Sequence, residues 1–182
     1  LKSWARGIRL FFAFNQERKA QLRLRFANEK IIEVEKLAEL KKNQKIVEKT
    51  LERFQKELEE IEKVRPEVLK NFSEKLIHQQ LLHQKILQKL ENQAPSEVFE
   101  KIKENRERHL EKFKDVILKL ESRDKIADRL ESELGKIRGS KFKEFKNLEI
   151  LGELEEKMPE DIKQKIKEKK AEIVEKFAQK LE

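Results

Sequence analysis

Residues 66–121 read PEVLKNFSEKLIHQQLLHQKILQKLENQAPSEVFEKIKENRERHLEKFKDVILKLE, and this stretch decides the fold. Leu69, Phe72, Leu76, Ile86 and Leu90 recur at helical spacing up to Asn92. Pro95 then interrupts, and Val98, Ile102, Phe113, Ile117 and Leu120 resume the pattern as far as Glu121. An apolar stripe at that period is one face of an α-helix. Proline suits the first turn of a helix, where its missing N–H removes no hydrogen bond. The segment therefore predicts two helices, Pro66 to about Asn92 and Pro95 to about Glu121, folded into an antiparallel hairpin.

The same grammar extends in both directions. Upstream, Asn15 to Arg65 holds no Gly and no Pro, and carries two stripes. Ala20, Leu24, Ala27, Ile31, Val34 and Ala38 form the first; Val47, Leu51, Phe54, Leu58 and Ile61 form the second, out of phase by one residue. The slip falls at Lys41-Lys42-Asn43-Gln44, which predicts a turn or kink there rather than one rod. Downstream, Asp124 is placed to cap a short helix ending near Gly135 or Gly139, and Phe142, Phe145, Leu148, Leu151 and Leu154 outline another. Pro159 opens the last, whose apolar face is Ile162, Ile166, Ile173, Val174, Phe177 and Leu181.

Laying Pro95 on Pro159 reveals an internal repeat. Leu87, Leu90, Val98, Ile102, Leu110, Phe113 and Ile117 fall on Leu151, Leu154, Ile162, Ile166, Val174, Phe177 and Leu181 without a gap. The repeated unit is helix, proline-started turn, helix. The prediction is an all-α protein: an up-and-down bundle or a stack of antiparallel helical hairpins with long helices. The chain reads as one helical domain over 1–182, with sub-units at 1–64, 66–121 and 124–182.

Composition supports this and narrows the function. Of 182 residues 44% are charged and 37% hydrophobic, with four Gly, three Pro and no Tyr. Glu, Lys and Leu are abundant and turn residues are scarce, which favours helix over sheet. There is no Cys, so neither a disulfide framework nor a thiolate metal site exists. Gly7, Gly135, Gly139 and Gly152 form no phosphate-cradling loop. No serine stands in a nucleophile-elbow context. The residues three before His78, His83 and His109 are Lys75, Gln80 and Arg106, which excludes the Glu-x-x-His pairs of di-iron bundles. Nothing marks an enzyme, and no cofactor is implied.

Two candidate sites stand out. On the hairpin of 66–121, the seams place Gln79 and His83 opposite Asn105 and His109, a polar layer crossing an apolar interface. Such a layer fixes register between helices. The same histidines with Glu104 form a weaker candidate metal set, His83, His109 and Glu104. His78 lies about 500° around the helix from His83 and is expected to face solvent.

The second candidate is the N-terminus. The net charge of +8 is uneven: residues 1–30 hold eight basic and two acidic side chains. Leu1, Trp4, Ile8 and Phe11 share a helix face, with Lys2, Arg6 and Arg9 away from it, and Arg18, Lys19, Arg23 and Arg25 prolong the basic run. That pattern suits either an aromatic face packed on the bundle or a segment lying on an anionic membrane. Nucleic acid is disfavoured, because no recognition motif accompanies the charge.

The opening also resembles a known family. Leu1-Lys-Ser-Trp4, Phe11-Phe-Ala-Phe-Asn15, Arg18-Lys-Ala-Gln-Leu-Arg-Leu-Arg-Phe-Ala-Asn-Glu-Lys30 and Glu35-Lys-Leu-Ala38 look like the bacterial domain of unknown function 5667, most strongly over residues 1–40. His83-x-x-x-Leu87, Pro95 and Ile102 continue the likeness into the second third of the chain. The resemblance implies a helical domain without an established activity, found commonly after a signal peptide or membrane anchor. It thus implies an extracytoplasmic location (periplasmic, cell-surface or secreted), with residues before Leu1 removed or omitted; a cytoplasmic location is the alternative. The resulting expectation is a non-catalytic scaffold or protein-interaction module that meets a protein partner or itself. The alternatives are a periplasmic metal- or stress-responsive helical-hairpin chaperone or sensor, and a nucleic-acid binder using the basic N-terminus.

Overall fold

A computed structural model describes residues 15–40, 43–137 and 143–179. The described residues form helices joined by short turns, with no strand among them. In chain order they are α1 (Gln16–Glu39), α2 (Gln44–Glu62), α3 (Pro66–Lys70), α4 (Ser73–Gln93), α5 (Ser96–Leu120), α6 (Ile126–Lys136), α7 (Lys143–Lys157) and α8 (Glu160–Ala178). The protein is all-α, as its sequence predicts.

The helices pack as three hairpins side by side: α1 with α2, α4 with α5, and α7 with α8. The central hairpin meets α1 and α2 on one side and α6 and α7 on the other. Its two helices therefore have two apolar faces each. Leu76, Leu87, Leu90, Val98, Ile102 and Val116 join Leu24, Ile31, Leu51 and Phe54 in a first core. Ile77, Leu81, Leu110, Phe113 and Ile117 join Leu130, Leu151, Leu154 and Ile162 in a second. Each fully buried Leu, Ile or Phe contributes roughly 1.5–3 kcal/mol.

Local chemistry sets the ends of these helices. The Asn15 and Asn43 side chains accept from the backbone N–H groups of Glu17 and Lys45, at 2.8 and 2.9 Å. Each satisfies a donor that the first helical turn leaves over. Asn43 lies in the predicted break, and α1 and α2 turn back on each other there as a hairpin. Pro95 and Pro159 both stand at the N-cap position, with extended backbone angles.

Three expectations are corrected. The helix that starts at Pro66 does not run through to Asn92: it stops at Lys70 and restarts at Ser73. The break puts Phe72 out of helical geometry, with ψ of 28°, and seats its ring in the first core beside Leu69. Asn71 meanwhile donates to Glu17 Oε2 at 2.9 Å. Asp124 does not cap α6. Lys125 occupies that place without a side-chain bond, and Asp124 bonds with Ser122, which lowers the pKa of its carboxyl. Finally, the apolar face of α8 is buried only at Ile162 and Ile166; Val174 is 53% exposed. Leu181 lies outside the described residues, as do the side chains of Phe142 and Phe145.

A buried polar layer as the candidate functional site

Where the first and central hairpins meet, the apolar interface is crossed by side chains that can hydrogen-bond. His83 on α4 and His109 on α5 are both fully buried, with ring centroids 5.6 Å apart. Phe54 of α2 packs on both, edge-on to His83 at 5.1 Å and stacked on His109 at 5.8 Å. The two rings are thus held in an aromatic wall built from three helices.

Amide side chains orient each ring. His83 Nε2 meets Oδ1 of Asn28, on α1. A carbonyl oxygen only accepts, so the His83 proton sits on Nε2. Gln84 Nε2 donates to Nδ1 of His109 and also reaches the backbone oxygen of Arg106 at 3.3 Å. The proton of His109 is therefore on its own Nε2. One turn away, Gln55 of α2 donates to the backbone oxygen of Asn105 at 3.0 Å, and the Asn105 side chain donates to Lys101 O at 2.7 Å. Burial drives the His83 pKa down to about 3. It also drives the His109 value well below its usual range, with His83 and Lys112 acting in the same direction. Both imidazoles are neutral in the folded protein at ordinary pH.

Of the predicted layer, His83, Asn105 and His109 are buried, whereas Gln79 is half-buried on the flank of α4. Besides His83, the polar residues that α4 buries are Gln80, Gln84 and Gln88. Asn28 and Gln55 were not foreseen, because the first hairpin supplies them and the sequence reading paired α4 with α5 alone. Their signal was available: Asn28 and Gln55 each follow a stripe residue, Ala27 and Phe54.

The metal set is not assembled. Glu104 faces solvent and pairs with Lys101 at 3.2 Å and Arg108 at 2.9 Å, so it cannot join the histidines. The reason is angular: on α5 it stands five residues before His109, about 500° around the helix. Among the described residues no group of three or more His, Asp or Glu side chains stands where it could hold a metal ion. His78 is half-buried rather than exposed, with Nδ1 3.2 Å from the buried carboxylate of Glu133. Lys136 also holds that carboxylate, at 2.7 Å.

The basic stretch divides. Arg18 and Lys19 are exposed on α1. Arg23 pairs with Glu57 at 2.8 Å and with Glu60 at 3.7 Å, and Arg25 pairs with Glu29 at 3.3 Å. Lys2, Trp4, Arg6 and Arg9 lie outside the described residues. No helix among the described residues is long and apolar enough to cross a membrane.

The profile of one family, described as "Domain of unknown function (DUF5667)", matches residues 1–182. The chain belongs to that family. The match spans the whole sequence, beyond the first two thirds that the likeness of single motifs covers. No curated protein and no solved structure matches. What this DUF5667 chain shows of itself is therefore its fold and its polar layer.

Proposed function

We propose that the chain is a non-catalytic, extracytoplasmic scaffold that works through protein contacts. The observation that carries this reading is the sealing of the His83–His109 layer. Both rings are fully buried, and one nitrogen of each is engaged by a neighbouring amide. A general base must come within hydrogen-bond reach of its substrate, and these cannot without separating helices. The extracytoplasmic placement is supported by the habit of the resembling family.

The outside of the molecule suits contacts of a selective kind. Its charges are widely paired, while Leu40 and Ile46, 67% and 50% exposed, flank the turn between α1 and α2. Large apolar residues left in water beside a turn favour a partner or a second copy. Pairing of Arg23 and Arg25 with glutamates weakens a nucleic-acid reading, since phosphate binding needs unneutralised cations. Exposed Arg18 and Lys19 leave room for peripheral contact with an anionic membrane near the N-terminus.

Sedimentation and partner capture with Leu40→Asp/Ile46→Asp test the contact reading. The expected result is a folded variant that loses an association the natural chain makes. A natural chain that is monomeric, and captures nothing the variant fails to capture, overturns it. Alkaline phosphatase fused to the full gene product tests location; an inactive fusion overturns the extracytoplasmic assignment.

A further inference from the structure

We propose that the His83–His109 layer is an acid-sensitive joint, which releases the α1–α2 hairpin from the rest of the molecule when either ring takes up a proton. A hydrogen-bond chain holds both rings in place. It runs from Asn28 on α1 through His83 on α4, and from His109 on α5 through Gln84 to the backbone oxygen of Arg106. Each imidazole is held as its neutral Nε2–H form. His83 Nδ1 and His109 Nε2 are left buried without a hydrogen-bond partner.

Protonation adds a positive charge to two rings that are fully buried. A proton on His83 Nδ1 makes a second donor, beside the Phe54 and His109 rings. A proton on His109 Nδ1 faces the N–H of Gln84. No carboxylate balances either charge. Lys112 on α5 is a cation, and its partners Glu59 and Glu62 on α2 are already bound to it, at 3.4 and 3.5 Å. Arg106, also on α5, is another cation, held by Glu91 on α4 at 2.7 Å and by Glu153 on α7. From α1 and α2 the rings meet Asn28 and Phe54, both uncharged. An unpaired charge buried in such a place is costly, so proton uptake goes with exposure. Burial raises the Glu62 carboxyl and favours its protonation in the folded state. That acts in the opposite direction, one group against two.

The position of the layer decides which part moves. Asn28 and Phe54 belong to α1 and α2, whereas Gln84 and both histidines belong to the central hairpin. On its other side that hairpin is held by the second core and by the Arg106–Glu153 pair. The boundary that opens is therefore the one between the first and central hairpins, and the exposed faces are apolar: Leu24, Ile31, Leu51 and Phe54 against Leu76 and Leu87.

Hydrogen exchange of the full chain at about pH 7.5 and about pH 5, corrected for intrinsic rates, tests this. The opening constant of α1 and α2 is expected to rise roughly tenfold per histidine for each pH unit below about 6.5, while α6 to α8 keep their protection. His83→Gln/His109→Gln should abolish that rise, and His78→Gln should leave it unchanged. The joint is overturned by equal protection of α1 at both pH values, by all helices exchanging together, or by the same rise in the double variant. If the double variant does not fold, ring-nitrogen NMR of the natural chain decides. Both rings must keep the neutral Nε2–H form in the folded protein at about pH 5, and a protonated His83 there overturns the joint.

Discussion

At the scale of single residues, the layer sets two costs against each other: burying polar rings, and leaving a hole where they stand. Phe54 is fully buried against both imidazoles, so Phe54→Ala removes a large ring from a wall that cannot collapse. It should cost about 3–5 kcal/mol, read from urea unfolding. A loss under about 1 kcal/mol would show that the histidines do not depend on that wall. Ion pairs divide the same way by burial. Arg106 is 11% exposed between Glu91 and Glu153, and burial already raises the Glu153 carboxyl. Arg106→Ala strands two carboxylates and should cost about 3–5 kcal/mol. Arg25→Ala, at an exposed pair, should cost under about 1 kcal/mol. Equal losses for the two would show that burial does not govern these pairs.

At the scale of elements, the sequence was legible where one stripe had one partner. The stripes from Ala20 to Val34 and from Val47 to Ile61 are buried as read, and the slip between them marks the α1–α2 turn. It was less legible where a helix has two buried faces. On α4, Ile77, Leu81 and Gln84 lie off the stripe through Leu69, Phe72 and Leu76, because they face the second core and His109. A single-stripe reading put Gln79 in the layer for that reason. The repeat about Pro95 and Pro159 shows how far pattern can carry. Its first four pairs, from Leu87/Leu151 to Ile102/Ile166, are buried in both copies. At the fifth, Leu110 is buried in the second core and Val174 is 53% exposed. Leu110→Asp should therefore unfold the chain, since it buries an unpaired charge. Val174→Asp should change stability by no more than about 0.5 kcal/mol. Circular dichroism during thermal melting checks the pair, and equal losses would mean that Val174 is packed after all.

At the scale of the whole molecule, the stack makes stability uneven in a definite order. In a one-dimensional array each hairpin is stabilised by its neighbours, and the middle one has two. Here α4 and α5 contribute side chains to both cores, so opening either end leaves them half-packed, whereas α1, α2 and α8 each lose their contacts in a single step. Native-state hydrogen exchange near neutral pH should therefore find the slowest amides in α4 and α5, around Leu81, Leu87, Leu110 and Phe113. Faster exchange should appear in α1 and α2, and the fastest among these helices in the outer half of α8. The order follows from packing alone and needs no protonation, so it is separate from the acid response of the joint. Slowest exchange in α1 or α8 would mean that the cores do not share the central hairpin as an energetic unit.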